Sequence, residues 1–428
     1  MAFLDFFINQ VLRQPANFLG LIVLIGCILQ GKGAKDSIVA TVKTIVGVKV
    51  LQLGSGTLVS ASKPIMEALT KAYNIRGVVM DPWTHVGEAM QRMPKDIVAN
   101  VGLIMVAGWL LHLLFAKLSP IKVVYLTGHV AFSDTVCLTW FVYECMRLDG
   151  TAAIAVSTLI CAIYWWFFPS LIYPYLKKFI GDTPITLGHN LCISGIITTY
   201  LARVGNPDDS AENLKLPGWL SMFGDSVVAY GLVMAVLYFA LTAFIGPAAL
   251  AKDAAAAGQN YLFYGAMQGV QIAVGITVLL MGVRMFLAEL LPAFKGFADK
   301  VIPGAIAAVD NPVFWPYAPT AALLGFVATV VAQLVALGLL VAFKSPIIAI
   351  PSVIPLFFGG CTLGVFANAY GGWKGVLFAC SVMGFVNVFG SAALAAVGNL
   401  SVGVAGHTDY STIWLAFFGL MRAIFGGR

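Results

Sequence analysis

The sequence predicts an all-α polytopic membrane protein built from two related halves, and three observations carry that expectation. Of 428 residues, 60% are hydrophobic and 10% charged, with a mean hydropathy of +0.91. One soluble core could not hide so much apolar surface. Several apolar runs reach the roughly 20 residues that a hydrocarbon core about 30 Å thick demands. They lack the alternation of barrel strands, so helices must satisfy the backbone at that depth. The third observation is a repeat. Val46 to Asp81, VGVKVLQLGSGTLVSASKPIMEALTKAYNIRGVVMD, aligns with Val274 to Asp310. Val46, Gly47, Val50, Leu51, Gly54 and Pro64 fall on Val274, Gly275, Val278, Leu279, Gly282 and Pro292, and a single insertion brings Asp81 onto Asp310. Inverted repeats interrupted by Gly and Pro mark transporters that hold substrate between two halves.

In chain order, Phe3 to Val11 reads as a short amphipathic lead-in and Asn17 to Leu29 as the first span. After the first repeat copy, whose Ser62 to Tyr73 is polar enough for an interfacial or domain-surface helix, Gly77 to Met93 mixes Asp81, His85, Glu88 and Arg92 with apolar residues. That mixture suits a broken helix lining a cavity. Spans are expected at Ile97 to Phe115, Val123 to Tyr143 and Ala152 to Tyr173, the last ending in Tyr164, Trp165, Trp166, Phe167 and Phe168 as an interfacial belt. Thr183 to Val204, interrupted by Pro184 and Gly188, reads as re-entrant. The polar interval Asn206 to Gly224 divides a first half, 1–205, from a second, 225–428. Further spans are expected at Asp225 to Phe244, Tyr261 to Leu280, Ala318 to Phe343, Val376 to Ala396 and Thr412 to Phe425. Ser345 to Phe358, with three prolines, reads as a second broken hairpin. The total is about ten or eleven crossings.

The net charge of +6 comes from basic residues scattered singly between apolar runs, which excludes a nucleic-acid surface. Gly31 to Lys49 carries Lys32, Lys35, Lys43 and Lys49 against Asp36, so the positive-inside rule makes it cytoplasmic and puts the N-terminus outside. The N-terminal stretch lacks the basic region and cleavage site of a signal peptide. Seven isolated cysteines without C-x-x-C spacing argue against disulfides or a metal site and for small buried apolar residues. No P-loop, G-x-S-x-G or H-E-x-x-H is present, so neither a catalytic centre nor a cofactor is expected.

What remains is a set of ionisable groups in apolar surroundings, where charge is costly enough to imply function. His129 and Asp134 share one span, His189 follows Gly188, and Asp310 sits among Pro303, Gly304 and Pro312. Asp81 has two readings, a functional carboxylate or the cap of a helix with Pro82 in its first turn. Glu88 and Glu289 read as partners of Arg92 and Arg284, and His112 as structural. Trp165 and Trp166 read as interfacial anchors. Asp81, Asp134 or Asp310 could also serve as a proton or sodium site in an ion-coupled transporter, the rival class.

LQLGSGTL with a following KP, YLTGHVAF, ITLGHN, LKLPGWL, GVRMFLAEL with VIPGAIAAVD, IPSVIPLFF and GVFANAYGGWKG are spread in order over nearly the whole chain. In these phrases the chain resembles the ascorbate-specific membrane subunit, enzyme IIC, of the bacterial phosphoenolpyruvate-dependent sugar phosphotransferase system. The resemblance implies about eleven membrane helices, a homodimer in the bacterial inner membrane, a core domain holding the sugar and a second domain that forms the dimer. It also implies phosphorylation of the imported sugar by a separate enzyme IIB, itself charged by enzyme IIA. His129, His189, Asp310 and the region Trp83, His85, Val86 and Gly87 would line the site. Ser133-Asp134 and Asn190-Leu191 stand where ascorbate-transporting members carry glutamines. Glutamine both donates and accepts, whereas an ionised aspartate only accepts and repels an anion. A neutral sugar or polyol is therefore an alternative substrate.

Overall fold

A computed structural model describes residues 10–11, 14–75, 77–214 and 226–428. Most of the expected lead-in, residues 215–224 of the polar connection and most of the LKLPGWL phrase lie outside the described residues.

The chain begins with α1 (Pro15–Leu29) and the long α2 (Ala34–Ala72), which runs through Pro64 without stopping. The stretch expected as an interfacial or domain-surface helix, Ser62 to Tyr73, is the last part of α2 and its cap. Strand β1 (Val78–Met80) leads into α3 (Pro82–Arg92), then α4 (Lys95–Ala99) and α5 (Val101–Leu118). Strand β2 (Val123–Tyr125) precedes α6 (Gly128–Met146), and α7 (Gly150–Ile180) follows. Strand β3 (Ile185–Leu187) and α8 (Cys192–Leu201) occupy the stretch expected to be re-entrant. The remaining chain gives α9 (Ser226–Ile245), α10 (Pro247–Ala256), the long α11 (Tyr261–Lys300), β4 (Ile306–Val309) and α12 (Pro319–Ala342). It closes with β5 (Ala349–Pro351), α13 (Val353–Val397), which is broken by a kink at Gly372 (φ +58°), β6 (Gly403–Val404), a π turn at Tyr410–Trp414 and α14 (Leu415–Phe425).

Among the described residues, six helical segments are long and apolar enough to cross a membrane: Ala34–Gly54, Val101–Leu118, Gly150–Ile180, Tyr261–Phe294, Pro319–Ala342 and Pro355–Val397. Ala16–Leu29, Cys192–Val204, Tyr230–Ile245 and Tyr410–Phe425 are shorter apolar helices. This is a multi-pass, largely helical membrane protein.

Short strands stand at the expected breaks near Val78, Ile185 and Ala349, and β2 also corrects the expected span Val123 to Tyr143, whose helix begins only at Gly128. Among the described residues the strands form two parallel three-stranded sheets, in the orders β5-β1-β6 and β2-β4-β3. Val78 pairs with Ala349 and Met80 with Val404, while Tyr125 pairs with Ala308 and Leu187 with Val309. The strands are buried except for an intermediate Val79, so the ladders satisfy backbone groups that neither helix nor water could reach. Parallel pairing also gives all strands of a sheet one direction. The turns leaving β2, β3 and β4 therefore emerge on one edge, although their sequences lie far apart.

Helices α2 and α11 cross at their glycines. A Cβ added to Gly54 would lie 2.5 Å from the backbone nitrogen of Leu279, and one on Gly282 would lie 2.3 Å from that of Leu51. Small residues permit this backbone approach, the usual way for helices to gain dispersion energy in lipid. Lys43 of α2 reaches Glu289 of α11 at 3.1 Å. That corrects the expected pairing of Glu289 with Arg284.

Candidate functional site

Asp81, His129, His189 and Asp310 lie just beyond the ends of strands, and the sheets decide which of them meet. After β1, Asp81 caps α3: its Oδ1 accepts the Thr84 N–H at 2.8 Å and the Thr84 hydroxyl at 3.0 Å, with Pro82 in the first turn. After β4, Asp310 accepts the Asn311 N–H at 2.7 Å, again before a proline. The turns after β2 and β3 deliver Gly128-His129 and Gly188-His189. Gly188 is required there, because a Cβ would stand 2.6 Å from the Ala308 carbonyl oxygen of β4.

The result is a carboxylate between two imidazoles. His129 Nε2 lies 3.4 Å from Asp310 Oδ2, and His189 Nε2 lies 3.9 Å from Asp310 Oδ1. His189 Nδ1 accepts the Asn190 backbone N–H at 2.9 Å, which leaves the ring proton on Nε2, toward Asp310. These groups line a cavity of about 620 Å³, within the range of small-molecule sites. Trp83, Ser133 and His407 also line it. The opposite wall comes from the long helices: Val48, Leu51 and Gln52 of α2, with Phe286 and Leu290 of α11. Trp83 is 45% exposed and stacks on Phe132 at 6.4 Å. Ser133 donates its hydroxyl to the Val130 carbonyl.

The other sequence candidates lie away from the cavity wall. His85 is fully buried with its ring edge-to-face against Phe141. Val86 is buried as well, and Gly87 is half-buried. A helix turns 100° per residue, so a helix that presents Trp83 to the cavity turns His85 to its opposite side. Asp134 is fully buried, and its two oxygens accept the Trp165 indole N–H at 3.1 Å and the Tyr410 hydroxyl at 3.0 Å. Trp165 is thus a buried donor, which corrects its reading as an interfacial anchor. Asn190 is 1% exposed, and its carbonyl accepts the Asp409 N–H.

His112 is structural as expected, with Nε2 accepting the Tyr125 N–H and Nδ1 against the Trp109 carbonyl. All seven cysteines are free and buried. Glu88 binds Arg92 at 2.7 Å as expected, and also accepts the backbone N–H groups of Ser401, Val402 and Gly403.

Two residues between β6 and the π turn, absent from the candidates read in the sequence, complete this region. His407 lines the cavity with its ring centroid 4.5 Å from that of His189. Asp409 is fully buried and accepts the backbone N–H groups of Cys192 and Ser194 and the hydroxyls of Ser194 and Tyr164, so it caps α8. The signal for His407 was in the sequence, since Gly406-His407 repeats the dipeptides Gly128-His129 and Gly188-His189.

Known proteins bear out the resemblance of the sequence phrases. A relative from Mycoplasma pneumoniae (strain ATCC 29342 / M129 / Subtype 1), the "Ascorbate-specific PTS system EIIC component", is 27% identical over 442 aligned residues, covering 92% of this chain and 67% of the relative. Residues 10–412 match the model of EIIC-GAT, the "PTS system sugar-specific permease component". The chain belongs to this family of sugar-specific permease components.

Proposed function

We propose that the protein is the membrane permease subunit of a sugar phosphotransferase system, and that it carries L-ascorbate or a related small polyhydroxylated carbohydrate. The observation that carries this reading is the convergence of Asp310, His129 and His189 on one wall of a sugar-sized cavity. A carboxylate accepts from hydroxyls, and the Nε2–H groups on either side of it are donors that a hydroxylated ring can share, which suits a sugar. Asp134 is held by Trp165 and Tyr410 off the cavity wall, so it makes no direct contact with the sugar in this reading.

The same family membership supports a homodimer in the bacterial inner membrane, with enzyme IIB phosphorylating the sugar on the cytoplasmic side after receiving its phosphoryl group from enzyme IIA. In this reading residues 1–205 and 225–428 are related halves whose core and dimerisation elements interleave. Both α2 and α11 run through a proline to a strand and a capping aspartate. Movement of the strand-ended core against the α2 and α11 pair, in the manner of an elevator, would give alternating access to the cavity between them.

A neutral sugar or polyol is the second reading, favoured by the Asp310 carboxylate on the cavity wall. Uptake into membrane vesicles separates these from ion coupling. Accumulation as the phosphorylated sugar, dependent on phosphoenolpyruvate and enzymes IIA and IIB, is expected. Uptake abolished by a protonophore and indifferent to phosphoenolpyruvate would instead assign Asp81, Asp134 or Asp310 to an ion site.

A further inference from the structure

The two sheets end in matching ways. Gly188-His189 leaves β3 beside the central strand β4, and Gly406-His407 follows β6 beside the central strand β1. A Cβ on Gly406, at φ +76°, would stand 2.7 Å from the carbonyl carbon of Met80, just as one on Gly188 would press on Ala308. Each glycine lets the chain that carries its histidine pass close to a central strand. His189 stands beside Asp310, the aspartate after β4. Asp81 holds the equivalent place after β1, and its carboxylate is taken by Thr84.

Among the described residues, no group bonds the Nδ1 of His407. Its ring is 3% exposed, lies edge-to-face with His189 at 87° and lines the cavity. The structural His112 shows the contrast, since both of its ring nitrogens meet backbone groups. His85 also lacks partners, but it packs on Phe141 away from the cavity wall. A buried imidazole on a cavity wall is satisfied when the cavity's contents supply the hydrogen bond.

We propose that His407 is a substrate-contacting residue whose imidazole hydrogen-bonds a hydroxyl of the bound carbohydrate. It adds a third imidazole to His129 and His189 and brings it from the opposite end of the chain. This rests on the carbohydrate reading of the cavity.

The test is equilibrium binding of labelled L-ascorbate, D-xylose and xylitol to the full-length, detergent-purified protein. Wild type is compared with His407→Phe, which keeps a ring against His189 without the hydrogen bond, and His407→Gln, whose amide replaces a ring nitrogen. For the probe that wild type binds, His407→Phe is expected to weaken affinity about tenfold, the worth of one hydrogen bond, with His407→Gln recovering most of it. His407→Ala gives the same reading if the Phe variant does not fold. Wild-type affinity in His407→Phe or His407→Ala would overturn the proposal. Equal losses in Phe and Gln with equally lowered melting temperatures would also overturn it, by showing a scaffold role. If wild type binds none of the three probes, the carbohydrate reading falls and this proposal with it.

Discussion

His129 Nε2 stands 3.4 Å from Asp310 Oδ2, a contact between the helix that follows β2 and the turn that follows β4. The strands make it: Val123 to Tyr125 pair in parallel with Ile306 to Ala308, so both chains leave the sheet on the same side. The arrangement resembles the rule for open parallel sheets, where ligands gather beyond the carboxyl ends of the strands. Here the principle operates inside a helical membrane protein.

The first prediction concerns the imidazoles. His189→Ala and His129→Gln are each expected to weaken sugar binding about tenfold, while size-exclusion chromatography shows the same assembly as wild type. Unchanged affinity in both variants would remove the pair from the site.

Asp134 should behave differently. Asp134→Ala strands two buried donors, the Trp165 indole and the Tyr410 hydroxyl, at a cost of about 1–3 kcal/mol each. A clearly lowered melting temperature is expected, with sugar affinity in the folded protein within about threefold of wild type. A switch in sugar preference without loss of stability would show that Asp134 reads the substrate.

These two cases show what the sequence could and could not disclose. Long apolar helices are local patterns and were legible, whereas Pro64 and Pro292 were read as breaks although α2 and α11 run through them. Strands such as Val123–Tyr125 are too short for a periodic signal, and their register depends on partners in another part of the chain. Asp134 reads as a site residue because it shares a span with His129, yet its partners Trp165 and Tyr410 come from α7 and the π turn before α14. Trp165 sits in an aromatic run that resembles a belt, and only packing reveals that it is buried. His407 carried the same dipeptide as two residues that were found, so its signal was present and unread.

The crossing of α2 and α11 gives a third prediction. Gly54→Val places side-chain atoms 2.5 Å from the Leu279 backbone nitrogen and 2.6 Å from the Gly275 carbonyl oxygen. Overpacking of this kind costs about 1–3 kcal/mol or more, read as a lowered midpoint of thermal aggregation. Gly56→Ala is the control: its added Cβ meets nothing within 4 Å, so little change is expected. Equal effects would show that the crossing is not tightly packed.

Glu88 supplies a fourth. Its carboxylate holds the N–H groups of Ser401, Val402 and Gly403 that lead into β6. Charged acceptors contribute about 1.5–3 kcal/mol per hydrogen bond. Glu88→Ala is therefore expected to speed backbone hydrogen exchange across residues 400–407 and to weaken binding less than His189→Ala does. Exchange as slow as in wild type would mean that other contacts hold this stretch.

The central claim is that a sugar binds against Asp310, and one measurement addresses it directly. Saturation binding of labelled L-ascorbate, with neutral pentoses and polyols as competitors, is measured on purified wild type and Asp310→Asn. The account predicts saturable wild-type binding of one of these compounds, weakened about tenfold or more in Asp310→Asn because the amide loses half of the carboxylate's acceptor capacity. Equal affinity in the two proteins, or no binding of any compound by wild type, would contradict it.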